Sequence, residues 1–353
     1  MAGKWLKAKV GNGMPGDVSI PVIPVLQDIW ENQAENRGRR NIMFEKIPLS
    51  GVSNTEWLRL RKSGIGGSDA GAICGVNPYS SAMKVFRDKT SDVVEEQELD
   101  NEAVRIGHDL EDYVAQRFME ATGLKVRKSN FMYRSKEHPY MIADVDRLIV
   151  GGDAGLECKT ASAYSADKWE DGNIPLHYVM QCYHYMAVTG RRTWYIAAVI
   201  LGKEFIYRKL EWDDGLIGKL TQMEEDFWVN HVMKGAIPLP DGSKACDEVL
   251  AQYFHTARKE SRIALVGFDE KLKRREEILG SISALQEEQK QIEQEVKLFM
   301  GDNESASSEC YRVSWGNVDS TRLDTKRIKE ERPEIYSDYA KVSHSRRFEV
   351  RAA

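Results

Sequence analysis

The chain has 353 residues, of which 42% are hydrophobic and 30% are charged, and its formal net charge is -5. This length predicts a substantial core and about two domains, and the acidic balance argues against a uniformly basic nucleic-acid-binding protein. Five cysteines without a CxxC spacing argue against a disulfide framework or a zinc site. With no signal peptide and no apolar run of about 20 residues, we expect a cytoplasmic protein without a membrane span.

Residues 1–45 are predicted to form an appended arm. Glycine and proline interrupt the arm repeatedly, and only Ile23 to Trp30 offers a short amphipathic segment. We assign no chemistry to it.

A glycine-rich turn, GIGGSDAGAICG, follows a short basic helix that is predicted from Glu56 to Lys62. Ser68 and Asp69 are predicted to cap the next helix. An arginine, a glycine-rich turn and a helix N-terminus together can bind a phosphate, but the same pattern is typical of an ordinary joint between two helices. The spacing excludes a P-loop.

A long amphipathic helix is predicted from Glu102 to Thr122, because apolar residues recur on one stripe and Gly123 follows. Glu111 lies beside that stripe. Taken alone, it is interpreted as a surface glutamate.

The most informative stretch is ADVDRLIVGGDAGLECKT, in which Asp146 is followed after ten residues by Glu157, Cys158 and Lys159. A turn at residues 151–152 between two apolar segments predicts a β-hairpin. Because alternate residues of a strand share a face, Glu157 and Lys159 are predicted to lie together, facing Asp146, with Cys158 in the opposite layer.

Two carboxylates beside a lysine favour metal-dependent phosphodiester hydrolysis. Mg²⁺ prefers oxygen ligands and is usually held by one or two carboxylates plus substrate phosphate oxygens. A lysine there can orient or help to deprotonate the attacking water and offset charge on the phosphate. The alternative is a solvated ion-pair surface beside a hairpin turn, which this pattern alone does not exclude.

The next helix, predicted over residues 177–188, places Tyr178, Gln181 and Tyr185 on one face. Such a face can hold a nucleic-acid backbone or organise a water near a phosphate, although aromatic residues at this spacing also occur in cores. His184 has no third ligand at metal spacing and is interpreted as structural or surface.

Two strands and a helix are predicted to complete this region, over Thr193–Leu201, Glu204–Leu210 and Leu216–Met233. Their lengths and patterns are those of a mixed α/β domain.

The last third begins with a pattern typical of a coiled coil, in which apolar residues repeat at three, four or seven. A helix from Arg262 to Met300 would be about 58 Å long at about 1.5 Å per residue. We expect it to project, to pair with a helix of another copy, or to fold back near Gly280.

The C-terminal segment is predicted to contain a strand, Cys310–Trp315, and a helix, Thr325–Tyr339, that includes Pro333. Basic residues among aromatic ones, including Arg346 and Arg347, indicate a DNA path. The acidic residues among them are equally consistent with a solvated amphipathic surface.

Five motifs occur along the chain in this order: RKSGIGGSDA, GHDLEDYVAQRF, ADVDRL, GLECKT and YVMQCYHYMAVTG. On these motifs, the chain resembles the YqaJ-type viral recombinase family, relatives of the bacteriophage lambda exonuclease among the PD-(D/E)XK nucleases. The resemblance covers roughly residues 54–240. It implies that Asp146 and Glu157 bind metal together with the backbone carbonyl of Cys158, and that Lys159 is the catalytic lysine.

The resemblance also implies further site residues. Glu111 matches the active-site glutamate of the helix, and Gln181 matches the glutamine of the last motif. Arg61 and Ser68 match the pair that grips a 5′-terminal phosphate in the family.

The chain departs from the wider superfamily around the first acid. Val145 stands where proline is common, and Arg147 stands where glycine is common. Asp144 is an additional carboxylate whose role the sequence leaves open.

The implied fold is a restriction-endonuclease-like α/β core, with a mixed central sheet flanked by helices, followed by the helical extension and a small α+β tail. The implied activity is a 5′-to-3′ exonuclease on double-stranded DNA ends that uses Mg²⁺, with Mn²⁺ as a possible substitute. The implied setting is the cytoplasm of the bacterial host of a phage, with a single-strand annealing protein as partner and a homo-oligomer, a ring in some relatives.

The predicted division of the chain is an arm at 1–45, a nuclease domain at 46–240, a helical extension at 241–301 and a basic, aromatic tail at 302–353. Two other functions stay open at this point. One is a structure-specific endonuclease on the same fold, and the other is a non-catalytic scaffold that binds DNA ends.

Overall fold

The computed structural model describes residues 5–8, 18–21, 43–92, 102–342 and 345–351. The chain divides into two compact units, Met1–Phe254 and His255–Ala353. The amphipathic segment predicted at Ile23 to Trp30 lies outside the described residues.

The elements of the first unit are numbered in chain order. Its strands are β1 (Trp5–Ala8), β2 (Val18–Pro21), β3 (Phe44–Pro48), β4 (Val126–Lys128), β5 (Phe131–Ser135), β6 (Ile142–Asp144), β7 (Arg147–Ile149), β8 (Ala154–Ala161), β9 (Thr193–Ile200) and β10 (Glu204–Glu211). Its α-helices are α1 (Asn54–Lys62), α2 (Gly67–Ile73), α3 (Ala82–Thr90), α4 (Glu102–Thr122), α5 (Leu176–Thr189), α6 (Asp214–Phe227) and α7 (Lys244–Tyr253). A 3₁₀ segment (Ala163–Gly172) precedes α5, and a π-helical segment (Trp228–Met233) continues α6.

A mixed sheet in the order β10-β9-β8-β7-β4 forms the centre of this unit. Strands β8 and β9 run parallel, and the other neighbours are antiparallel. The hairpin predicted from the double glycine is confirmed, because β7 and β8 pair across a turn in which Gly151 has a φ of 74°. The predicted α/β core, a mixed central sheet flanked by helices, is confirmed.

The alternation of β8 separates two layers of the core. Leu156 and Cys158 pack with Phe118 of α4 on one face of the sheet. On the other face, Ile196 of β9 packs with Met186 of α5. Glu157, which lies between Leu156 and Cys158 on β8, therefore points toward α5.

A second, antiparallel sheet in the order β3-β5-β6 leads into the first. Val145 and Asp146 connect β6 directly to β7, so Asp146 lies where the two sheets meet. Strand β3 pairs with β5 from Phe44 onward. The sheet β3-β5-β6 therefore begins within the arm that is predicted for residues 1–45.

The glycines of α2 allow that helix to approach α5 closely. A Cβ added to Gly67 would lie 2.6 Å from the Tyr185 ring, and one added to Gly71 would lie 2.9 Å from the His177 Cα. These positions have no room for a side chain, so the glycine-rich sequence serves helix packing here.

The predicted cap of α2 is confirmed for Asp69 and wrong for Ser68. The cap residue is Gly66, and Ser68 lies inside the first turn. Ser68 is the second residue of the helix and so does not occupy the cap position, and its hydroxyl accepts a hydrogen bond from Arg61. The Asp69 carboxylate instead accepts from the Gly66 amide at 2.8 Å, so it ties the start of the helix together.

Helix α7 belongs to the first unit. Cys246 and Val249 of α7 are buried against Met83 of α3. The first unit therefore continues to Phe254, beyond residue 240, because this apolar contact joins α7 to the rest of that unit.

The second unit contains α8 (Asp269–Met300), β11 (Ser305–Ser307), β12 (Arg312–Ser314), α9 (Thr325–Glu331) and α10 (Pro333–Tyr339). Helix α8 starts later than predicted and continues through Gly280, so the fold-back at that glycine does not occur. Leu279, Ile282 and Leu285 on α8 are exposed. The single helix predicted over 325–339 is two helices, because Pro333 begins a new one after Arg332.

In the described ranges, no helix combines the length and the apolar character that crossing a membrane requires.

Candidate active site

Strand β8 presents Glu157 and Lys159 side by side, as their two-residue spacing predicts. The Lys159 Nζ lies 2.6 Å from the Glu157 Oε1, and the Glu157 side chain is 2% exposed. Cys158 between them packs into the layer of α4. The strand thus separates an ion pair from an apolar core by alternation alone.

Asp146 completes the predicted group. Its Oδ2 accepts a hydrogen bond of 2.8 Å from the Cys158 amide, which ties the end of β6 to the middle of β8. Burial, together with the neighbouring Glu157 charge, raises the pKa of Asp146 well above its ordinary value. Burial also raises the pKa of Glu157, although Lys159 opposes that shift. A buried carboxylate and a partly buried one therefore lie near a single ammonium.

Helix α5 supplies the polar face that the sequence predicts. The Gln181 Nε2 donates to the Glu157 Oε1 at 2.7 Å and to the Tyr185 hydroxyl at 2.9 Å. The Lys159 Nζ lies 4.8 Å from the centre of the Tyr178 ring. We call Asp146, Glu157, Lys159 and Gln181 the carboxylate cluster.

The carboxylate cluster fits a divalent cation. The Glu157 Oε2 is buried and finds no hydrogen-bond partner in the described part of the chain. A buried carboxylate oxygen without a partner is costly, and a bound cation removes that cost. The described residues contain no group of three His, Cys, Asp or Glu side chains arranged around one point. A site with two carboxylates is nevertheless sufficient for Mg²⁺, which keeps several waters.

Glu111 pairs with Arg147 beside the carboxylate cluster, where its charge adds to the effects of burial and of Glu157 that raise the pKa of Asp146. The Arg147 guanidinium pairs with Glu111 and with Asp112 of α4, and it donates to the Asp146 carbonyl at 2.8 Å. Arg147, the departure from the family pattern, thus anchors α4 beside the backbone of Asp146. The sequence gives one signal for this role, an arginine within an apolar strand, and its meaning depends on α4.

Arg61 and Ser68 lie together, as the resemblance implies. The Arg61 Nη2 donates to the Ser68 Oγ at 3.0 Å, and it lies 3.6 Å from the Asp69 Oδ2. The pair faces a cavity of about 370 Å³, which we call the Arg61 cavity. Among the described residues, five cationic side chains line it: Arg61, Lys62, Lys84, Arg87 and Lys89. The local positive charge that an acidic chain needs for DNA is therefore present here.

Asp144 lies beside the Arg61 cavity. Its Oδ2 accepts a hydrogen bond of 2.7 Å from the Trp57 indole, and Trp57 lines the cavity. Burial raises the pKa of Asp144, while the Trp57 hydrogen bond opposes the shift. This carboxylate holds α1 against the end of β6.

Arg346 and Arg347 belong to the second unit and are exposed. Their role in DNA binding stays a prediction.

Known proteins of similar sequence support the family resemblance that the five motifs indicate. The model of the YqaJ-like viral recombinase domain matches residues 56–192. The chain is 38% identical over 305 residues to the uncharacterized protein YqaJ of Bacillus subtilis (strain 168), an alignment that covers 86% of this chain and 95% of that protein.

The chain also matches parts of solved structures. One is LHK-Exo in complex with dAMP, with a TM-score of 0.44 and 20% identity, over 50% of this chain and 91% of that one. LHK-Exo is an alkaline exonuclease from Laribacter hongkongensis. Another is a phage-related exonuclease from Haemophilus somnus 129PT, with a TM-score of 0.37 and 12% identity, over 56% and 99% of the two chains. On the match to the domain model and the alignment over most of both sequences, the chain belongs to the YqaJ-like viral recombinase family.

Proposed function

We propose that the chain is a metal-dependent nuclease, a 5′-to-3′ exonuclease that resects double-stranded DNA ends for recombination by single-strand annealing. The observation that carries the proposal is the carboxylate cluster, in which the buried Glu157 and the partly buried Asp146 lie near Lys159 and one Glu157 oxygen lacks a partner among the described residues. A protein that only binds a polyanion gains nothing from buried carboxylates that face it.

Asp146, Glu157 and the backbone carbonyl of Cys158 would hold Mg²⁺, with Mn²⁺ as a substitute. When bound, the ion supplies Lewis-acid polarisation of the phosphate and lowers the pKa of a nearby water. The Glu157 and Asp146 charges raise the pKa of Lys159 against the effect of burial. Lys159 therefore stays protonated and acts as a hydrogen-bond donor that orients the water and offsets charge on the phosphate. Gln181 fixes the Glu157 oxygen that faces it.

The Arg61 cavity is proposed to bind the 5′-terminal phosphate. A guanidinium beside a hydroxyl offers several donors to one phosphate group, and charge-assisted hydrogen bonds of this kind are the strong ones. Holding the terminal phosphate would place a neighbouring phosphodiester at the carboxylate cluster and so set the direction of degradation. We further propose a homo-oligomer and an annealing protein as partners, in keeping with the recombinase family.

The test is digestion of a linear duplex that carries a phosphate on one 5′ end only. We expect release of mononucleotides from that end in Mg²⁺, none in EDTA, none with Lys159→Ala, and slower release with Arg61→Ala. Lys203→Met, an exposed lysine on the turn between β9 and β10, is the matched charge control and should behave as wild type.

Three results would contradict parts of the proposal. Degradation from the 3′ end would contradict the polarity. Cutting of closed circles would favour a structure-specific endonuclease. Absence of any metal-dependent turnover would favour the non-catalytic scaffold.

A further inference from the structure

Lys89 of α3 is a buried lysine at the wall of the Arg61 cavity. Its side chain is 1% exposed, and lysine is rarely buried to this degree unless it is paired. The Lys89 Nζ lies 2.8 Å from the Asp69 Oδ2 and donates to the Arg61 carbonyl at 3.0 Å. It also lies 3.3 Å from the Asp88 Oδ2. The lysine thus holds a carboxylate and the backbone of the phosphate-binding arginine together.

Asp69 stands between Lys89 and Arg61. Its Oδ2 is closer to the Lys89 ammonium, at 2.8 Å, than to the Arg61 Nη2, at 3.6 Å. Burial opposes ionisation of Asp69, but Lys89 and Arg61 outweigh it and hold the pKa of Asp69 at about 2. The carboxylate is therefore a full negative charge directly beside the arginine.

The Arg61 guanidinium has little freedom to move away from that charge. It lies against the backbone of Gly66, where an added Cβ would be 1.4 Å from the Arg61 Nη1. Without Lys89, the nearest cation to the Asp69 carboxylate would be Arg61. Their pairing would cancel the charge that a phosphate needs.

We propose that Lys89 is a positioning residue for end recognition: it neutralises Asp69, so that the Arg61 guanidinium keeps its charge and its donors for the terminal phosphate. This inference rests on the proposed 5′-phosphate site and deepens it. It assigns to a residue outside the family motifs the discrimination between phosphorylated and unphosphorylated ends.

The test measures binding without cleavage. Affinities in EDTA are compared for two DNA hairpins with one open end, which carries either a 5′-phosphate or a 5′-hydroxyl. We expect wild type to prefer the phosphate, and Lys89→Met to lower that preference about tenfold, as loss of a charge-assisted contact does. Lys203→Met should leave the preference unchanged.

A second variant separates neutralisation from a merely structural role. In Lys89→Met/Asp69→Asn both charges are absent, so Arg61 is again uncompensated, and we expect the preference to return to within about threefold of wild type. A structural role for Lys89 predicts no such rescue. If Lys89→Met alone does not fold, the double variant decides the question by the same ratio.

Two results would overturn the inference: an unchanged preference in Lys89→Met, or a lost preference that the double variant does not restore. A wild-type protein that binds both ends equally overturns the 5′-phosphate site together with the inference. A phosphate-selective wild type that never cleaves DNA contradicts the proposed nuclease instead, and the Lys89 comparison then still decides the inference.

Discussion

Helix α5 contributes to two clusters of charged side chains through residues three positions apart, and the clusters differ in how completely their polar atoms are hydrogen-bonded. At Gln181, the helix contacts the carboxylate cluster, in which the Glu157 Oε2 lacks a partner among the described residues. At His184, the helix contacts Glu224 of α6. The His184 Nδ1 lies 2.8 Å from the Glu224 Oε1, and the Nε2 lies 2.8 Å from the Ile142 carbonyl.

The pKa values of His184 and Asp146 are both raised, but a raised pKa favours the charged form of a histidine and the uncharged form of an aspartate. Both ring nitrogens of His184 face acceptors, so the imidazolium is favoured, and Glu224 raises the pKa of His184 although burial opposes it. Ionising Asp146 is disfavoured because it is buried beside Glu157. A fully paired network of buried charges holds elements together, whereas an incompletely paired one is arranged for a ligand. We therefore expect substitutions to separate stability from activity.

The largest expected effect is the loss of activity in Glu157→Gln. The change keeps the shape of the side chain and removes the charge that is proposed to bind the metal, so kcat/KM should fall at least about 10³-fold, which is about 4 kcal/mol of transition-state stabilisation. Stability in urea should change by no more than about 1 kcal/mol, because the paired oxygen keeps its Gln181 contact. Activity within tenfold of wild type would remove Glu157 from the chemistry.

The complementary change is Glu224→Ala. It leaves the His184 imidazolium buried without its carboxylate, which costs about 3–5 kcal/mol of unfolding free energy. Urea denaturation measures this loss, and kcat at a temperature where the variant is still folded should match wild type. A loss of activity without a loss of stability would reverse the comparison.

The same pair predicts a pH dependence. Because the pKa of His184 is raised in the fold, its contribution is fully present below the unfolded value of about 6.5 and is lost as pH rises through the folded value. Wild-type stability should therefore decline on the alkaline side more than that of Glu224→Ala. Parallel pH profiles would contradict a charged His184.

Metal binding should appear as thermal stabilisation of wild type only. Mg²⁺ at about 100 times its Kd adds about 2.7 kcal/mol, and Asp146→Asn should abolish the accompanying rise in Tm. A calorimetric scan at matched ionic strength tests this without relying on activity. An equal rise in both proteins would mean that the ion binds elsewhere.

A smaller effect is expected from Gly67→Ala. The new Cβ would lie 2.6 Å from the Tyr185 ring and 2.9 Å from the Gln181 Cγ. We expect a loss of about 1–3 kcal/mol of stability and a lower kcat, because Gln181 must move from Glu157. Gly107→Ala on α4, with nothing within 4 Å of the added Cβ, is the control and should be neutral or stabilising.

The smallest effect is expected from Arg346→Gln/Arg347→Gln, far outside either cluster in sequence. If these side chains contact phosphates, DNA affinity should become less salt-dependent, with the slope of log K against log salt falling by up to about 2. Stability should not change. An unchanged slope would end their assignment to DNA binding.

The residues that recur at short spacing could be predicted from the sequence. Glu157 and Lys159 share a face because they are two apart on a strand, and Tyr178 and Gln181 share a face because they are three apart on a helix. The helix at Glu102–Thr122 and the glycine turn of the hairpin also followed from local periodicity and chain flexibility. Local rules are sufficient wherever the partners are neighbours in sequence.

The tertiary structure alone decided the roles of Lys89, Arg147 and His184, because the carboxylates that define those roles lie 20 or more residues away and leave no local pattern. Lys89 meets Asp69 only because α3 packs beside α2, and His184 meets Glu224 only because α6 lies along α5. A single buried cation looks in sequence like a solvated one, since burial depends on packing between distant elements. The sequence by itself thus determined which side chains share a face of a strand or helix, and the packing of the helices determined which of their charges are neutralised by distant partners.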